Sequence, residues 1–175
     1  MGGISKSDDR DGEVGGLIRL LERGGPDERA AAAEKLCQMG TAAAGAAVTL
    51  VRACADHDDR VRDWSVAALE GIEQPPVEDV PILVTIIGSG VTLATFWAIT
   101  LLGRVPQAAA PAVAKLADCV GSSADRAVRE RAAWALGQIG PAAAGARAIL
   151  EQAAGESQPR LARLAREALA AIDAA

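Results

Sequence analysis

One leucine recurs at a nearly constant interval along this chain: Leu36, Leu69, Leu102, Leu136 and Leu169, separated by 33, 33, 34 and 33 residues. Three residues after each comes a second apolar side chain, Met39, Ile72, Val105, Ile139 or Ile172. A further ladder keeps the same phase fourteen residues later, at Leu50, Leu83, Leu116 and Leu150. A period of this length restricts the chain to stacked copies of one supersecondary unit, because a unit so small cannot bury its own apolar face.

Helical spacing fills each unit. Val128, Ala132, Ala135, Leu136 and Ile139 form one stripe on a first helix, A. The second helix, B, carries Ala47, Leu50, Val51 and Cys54 in one unit, Val80, Leu83, Val84 and Ile87 in the next, and Val113, Leu116, Ala117 and Val120 in a third. Breakers stand between the helices at Gly40, Pro75-Pro76, Pro106 and Gly140-Pro141. Asp27, Asp58 or Asp59, Asp125 and Ser157 stand where A helices should start, as N-caps, and Pro159 suits a first turn. With no Tyr, one Phe and three Trp, the core must come from Ala, Leu, Val and Ile, and alternating strand patterns are missing. The expected fold is all-α, an α-solenoid of about four antiparallel helix pairs offset by half a unit. A lone B helix at residues 14–23 opens the array and a lone A helix at 160–173 ends it. Residues 1–12, polar and glycine-rich, are expected to be a flexible segment ahead of an array at 13–175.

Asp59-Arg60-Val61-Arg62, Ala127-Val128-Arg129 and Arg131-Ala132-Ala133-Trp134-Ala135-Leu136-Gly137-Gln138-Ile139-Gly140-Pro141 resemble bacterial HEAT repeats, the short type also found in phycobilisome lyases. The resemblance covers about residues 14–173. It implies a stack whose B helices line the concave side, where partners dock. The third unit departs from the pattern: Val91-Thr92-Leu93-Ala94-Thr95 stands where the family has a charged opening ending in Val-Arg. The polar helix-to-helix contacts that such an arginine makes are therefore not expected there.

Charge narrows the function. The net charge of -5 opposes wrapping a polyanion, so nucleic acid is not an expected partner. Residues 1–87 hold nine basic against sixteen acidic side chains, so the acidity is concentrated there. The most apolar stretch, Val80 to Leu102, is interrupted by Gly88-Ser89-Gly90 and is too broken to span a bilayer. No apolar leader core precedes the array, and Cys37, Cys54 and Cys119 read as packed free thiols, which together point to the cytoplasm. Signatures of nucleophilic, nucleotide-binding or zinc chemistry are absent, so no enzyme activity and no cofactor are expected.

The expected role is a scaffold that binds a protein or peptide on the concave B-helix face. By helical phase that face presents Thr49 and Arg52, then Ile82, Thr85 and Ile86, then Lys115 and Asp118, then Ile149 and Gln152, with the isoleucines as apolar anchors. A second candidate is a convex aromatic patch. Trp64 and Trp97 occupy equivalent positions in adjacent units, Phe96 is beside them, and Trp134 lies on the same helical face. These rings serve equally well as fillers between alanine-rich repeats. His57 sits among Asp56, Asp58 and Asp59, but consecutive side chains rarely converge on one ion, so no metal site is expected. Arg160, Arg163 and Arg166 form a ridge on the last helix that reads as a solvated face. Two further roles stay open. One is a bilin lyase-like enzyme subunit, for which only Arg52 and Lys115 offer themselves to a tetrapyrrole's propionates. The other is a self-assembling repeat protein in which Leu161, Leu164 and Leu169 meet a further copy.

Overall fold

A computed structural model of the chain describes residues 6–174, and every regular element among them is helical. Contacts divide the chain into two compact units, residues 1–79 and 80–175.

The first unit holds α1 (Lys6–Arg23), α2 (Pro26–Met39), α3 (Ala47–Ala53) and α4 (Asp59–Gly71). The A helices α2 and α4 pack side by side, α1 lies on α2 and α3, and α3 lies on α4. Helix α1 starts at Lys6, so the boundary expected at residue 12 falls inside a helix. The stretch from Lys6 to Asp11 holds no Pro or Gly, and nothing in it stops backward growth of the helix. Residues 1–5 of the expected flexible segment lie outside the described residues.

The second unit holds α5 (Val80–Ile86), α6 (Thr92–Gly103), α7 (Val113–Ser122), α8 (Arg126–Ile139), α9 (Arg147–Ala154) and α10 (Pro159–Asp173). The A helices α6, α8 and α10 pack in succession, and the B helices α5, α7 and α9 lie against them. Each unit is thus two layers, with its core between the A and B helices. Leu36, Leu69, Leu102 and Leu136 of the first ladder, and all four leucines of the second, have no solvent exposure. Leu169 is only half-buried, and Leu161, expected to be open to a neighbouring copy, is fully buried within the unit. No described helix is long and apolar enough to cross a membrane.

Local chemistry explains the helix ends. Asp58 and Asp125 cap α4 and α8, accepting from Arg60 N and Val128 N at 2.9 and 3.0 Å. Asp27 does not cap α2: the cap is Gly25, whose N–H donates to Glu28 Oε2 at 2.8 Å, while Pro26 takes the first turn. Gln158, not Ser157, precedes α10, because Pro159 occupies its first position as expected. Helices α2 and α8 end at Gly40 and Gly140, with φ of +56° and +66° and ψ of -127° and -134°, a backbone region closed to side chains. Each glycine opens a 3₁₀ segment, Gly40–Ala46 or Gly140–Ala146, that carries the chain to the next B helix.

Truncating a ladder leucine should leave a cavity that these layers cannot close. Leu136→Ala is expected to cost about 2–5 kcal/mol in denaturant unfolding. Leu20→Ala, on a side chain 43% exposed, should cost far less.

Candidate functional site

Two clefts open on the B-helix side, one in each unit, and they are the same repeat position. In the first unit Arg29, Thr49, Arg52, Asp56 and His57 help line a cavity of about 550 Å³. In the second unit the residues sixty-six places later, Thr95, Lys115, Asp118, Ser122 and Ser123, help line one of about 580 Å³. Leu21 and Glu22 correspond in the same way to Ile87 and Gly88. The repeat therefore builds a depression where the end of one B helix, the start of the next A helix and the flank of the following B helix meet.

The side chains filling that position differ in kind. In the first cleft Arg29 makes a two-pronged ion pair with Asp56, Nε to Oδ2 at 2.8 Å and Nη2 to Oδ1 at 2.9 Å, and its Nη1 donates to Gly24 O at 3.0 Å. These hydrogen bonds hold the Asp56 carboxyl below its ordinary range, against the opposing effect of burial. Thr49 Oγ1 donates to Glu22 Oε1 at 3.4 Å. The same arginine recurs at Arg129, which donates to both Glu156 oxygens at 3.0 and 2.5 Å and to Val120 O at 2.7 Å. Arg62, the next arginine in register after Arg29, reaches the Asp56 carbonyl at 2.7 Å. The third unit has no such arginine. Lys115 Nζ donates instead to Ile87 O at 3.1 Å, the carbonyl equivalent to Val120 O.

The expected binding residues divide by exposure. Arg52, Ile82, Thr85, Lys115, Asp118 and Gln152 are exposed, and Ile149 is half-buried. Thr49 and Ile86 are corrected: they are 8% and 9% exposed. Thr49 is covered by α1 through its bond to Glu22, and Ile86 lies three residues after the buried Leu83, on the edge of the core stripe. Ile82, 37% exposed, is left as the open isoleucine of α5. Arg52 and Asp118 make no ion pair among the described residues, and they put opposite charges at equivalent positions of the two clefts. Sequence phase missed Thr95, Cys119 and Ser122 as cleft residues, although the absent arginine at 95 was visible. Burial and then Asp118 raise the Cys119 thiol pKa, with Lys115 opposing. Cys54 is pushed up to about 12 by burial. The second cleft thus presents hydroxyls, one ammonium and carboxylates to solvent.

The aromatic candidates do not form one exposed patch. Trp64 is exposed in the first unit, whereas in the second Trp97 is 6% exposed and corrected to a core filler. Phe96 meets Trp97 edge-on at 5.8 Å. Arg131 lies 4.6 Å from the centroid of Phe96 and 5.1 Å from that of Trp134, bridging two half-buried rings. Burial, then Arg104 and Arg160, lowers its guanidinium pKa from the usual value. Trp134 packs against Gly103, where an added Cβ would lie 2.4 Å from the indole. Glu130, nearly buried, pairs with Arg126 at 2.7 Å and Arg160 at 3.2 Å. Arg163 pairs with Glu167, and Arg166 donates to Ala154 O, so the basic ridge is partly tied within the unit. Asp56 and Asp58 beside His57 serve Arg29, Arg60 and the α4 cap.

These repeats define the class of fold: an α-solenoid of stacked helix pairs. Residues 94–170 match the family model for HEAT repeats. Similar solved structures include an engineered protein, 22% identical with a TM-score of 0.67, which aligns over 91% of this chain and 79% of its own. A designed armadillo repeat protein in complex with the peptide (KR)4 is 18% identical, with a TM-score of 0.67 over 92% of this chain and 82% of its own. The complex of CpcE and CpcF of phycocyanin lyase from Nostoc sp. is 17% identical, with a TM-score of 0.58 over 91% and 99%. No curated protein matches the sequence.

Two outcomes test the geometry. The Asp56 pKa is depressed in the folded state, so its stabilisation is present above the ordinary carboxylate pKa of about 3.9 and is lost as pH falls through the lowered folded value. Urea unfolding should show Asp56→Asn weaker than wild type at pH 7, with the gap closing toward pH 2. Gly103→Ala should displace the Trp134 ring, shift tryptophan emission to the red and lower the thermal midpoint.

Proposed function

We propose that this protein is a binding scaffold, not a catalyst, and that it holds a protein or peptide partner on its B-helix side. The observation that carries this reading is the recurrence of one cleft at the same repeat position in both units, with different side chains in each. Repetition of a docking position with altered chemistry is how a solenoid reads a partner segment by segment. Arg52, Lys115, Asp118 and Gln152 supply exposed polar contacts, and Ile82, with half-buried Ile149, supplies apolar ones. Support also comes from fold relatives: one similar structure holds a peptide and another is a complex of two named components. Thr49 and Ile86 support the surface from beneath.

Affinity capture from the native cell extract tests the proposal, with the Arg52→Glu/Asp118→Lys chain as control bait. Both substitutions fall on exposed positions, so the helical circular dichroism should be unchanged. A partner held by the intact chain and lost from the variant is expected. A partner held equally by both would reject the B-helix side, and no partner at all would reject the scaffold.

A further inference from the structure

In the first unit and at the end of the second, the chain's own guanidinium stands at the repeat's cleft position. Arg29 bridges Gly24 O and the Asp56 carboxylate, and Arg129 bridges Val120 O and the Glu156 carboxylate. Each arginine stands at the start of an A helix, and each carboxylate lies 27 residues later. Between them in register comes Thr95, with Ser122 in the carboxylate's place. Both halves of the ion pair have been replaced by short hydroxyl side chains.

The cleft there, about 580 Å³, is close in size to the 550 Å³ cleft that keeps its ion pair, so the replacement changes the lining and not the volume. Thr95 lines it, is 8% exposed, and its hydroxyl has no hydrogen-bond partner among the described residues. A hydroxyl that opens on the cleft with no protein partner is free to accept from an incoming donor. Asp118 on the rim is exposed and makes no ion pair among the described residues. Asp125 adds a second carboxylate, one oxygen of which caps α8. Lys115 is the cleft's one cation, and its ammonium is already spent on Ile87 O. Two acids against one base leave the lining negative, which favours a cationic guest.

We propose that this cleft takes the side chain of an arginine from a partner segment, so that the partner supplies in trans the guanidinium that Arg29 and Arg129 supply in cis. The planar fork of a guanidinium carries five donors, enough to satisfy a carboxylate and a hydroxyl together, whereas a lysine offers a compact, strongly hydrated charge. Asp118 is the counterion, and Thr95 and Ser122 accept within the cleft. The inference rests on the scaffold reading and names the chemistry of one of its contacts.

The test is an NMR titration of the ¹⁵N-labelled full chain with N-acetyl-arginine amide, with N-acetyl-lysine amide and N-acetyl-glutamate amide as comparisons. The arginine probe should move the amides around Thr95, Asp118 and Ser122, several-fold more tightly than the lysine probe, and the glutamate probe should not move them. Asp118→Asn should weaken the response several-fold. Thr95→Arg/Ser122→Glu, which rebuilds the ion pair, should abolish it. An arginine probe that leaves those amides unmoved, or that binds no better than lysine or undiminished to Asp118→Asn, would overturn the proposal. A partner captured in the preceding experiment without an arginine response would reject this chemistry and keep the scaffold. An arginine response without a captured partner would do the reverse.

Discussion

The constraint on which everything else depends is that none of these helices can bury its apolar face alone. Helices α3 and α5 are seven residues each and far too short to persist in water by themselves. They hold because each lays its ladder leucine, Leu50 or Leu83, into a layer of A helices that are themselves packed in succession or in pairs. Alanine makes this possible. Ala32, Ala33, Ala132 and Ala135 are essentially without exposure, and such small side chains let helix axes approach closely. Gly103 and Gly137 go further and admit an indole ring and a neighbouring helix backbone, respectively.

Close apolar packing leaves polar groups at the layer edges to be satisfied. The repeat answers with an arginine that ties the open end of a B helix to a loop carboxylate, at Arg29 and again at Arg129. The cost of desolvating such a pair is offset only where its hydrogen bonds are complete, and both arginines reach a carbonyl as well as a carboxylate. Where Thr95 interrupts this series, Lys115 donates to the carbonyl from another helix, and hydroxyls line the cleft in place of the ion pair. The structural tie and the cleft are thus the same place in the repeat, and the two replacements at Thr95 and Ser122 change its lining.

The aromatic residues show how position within a layer decides role. Trp97 is enclosed by its unit, Trp134 lies on Gly103 under Arg131, and Trp64 is more than a third exposed. Equivalent register did not give Trp64 and Trp97 equivalent environments, since exposure depends on what covers each helix from outside the repeat.

The sequence by itself determined the period, the helical type of every element, the two leucine ladders and the interruption at Thr95, because these follow from local spacing and from a burial requirement that every unit shares. It also determined Gly40 and Gly140 as helix ends, since no other residue is at ease in that backbone conformation. Only the tertiary structure decided that Thr49 and Ile86 lie under the surface, that Gly25 and not Asp27 caps α2, and that Leu161 is enclosed. Helical phase says which side of a helix a residue faces, but not how far the neighbouring helix reaches around it. The clefts were hidden for the same reason: each is assembled from the end of one helix, the start of a second and the flank of a third, and the distances between those come from packing, not from the order of residues.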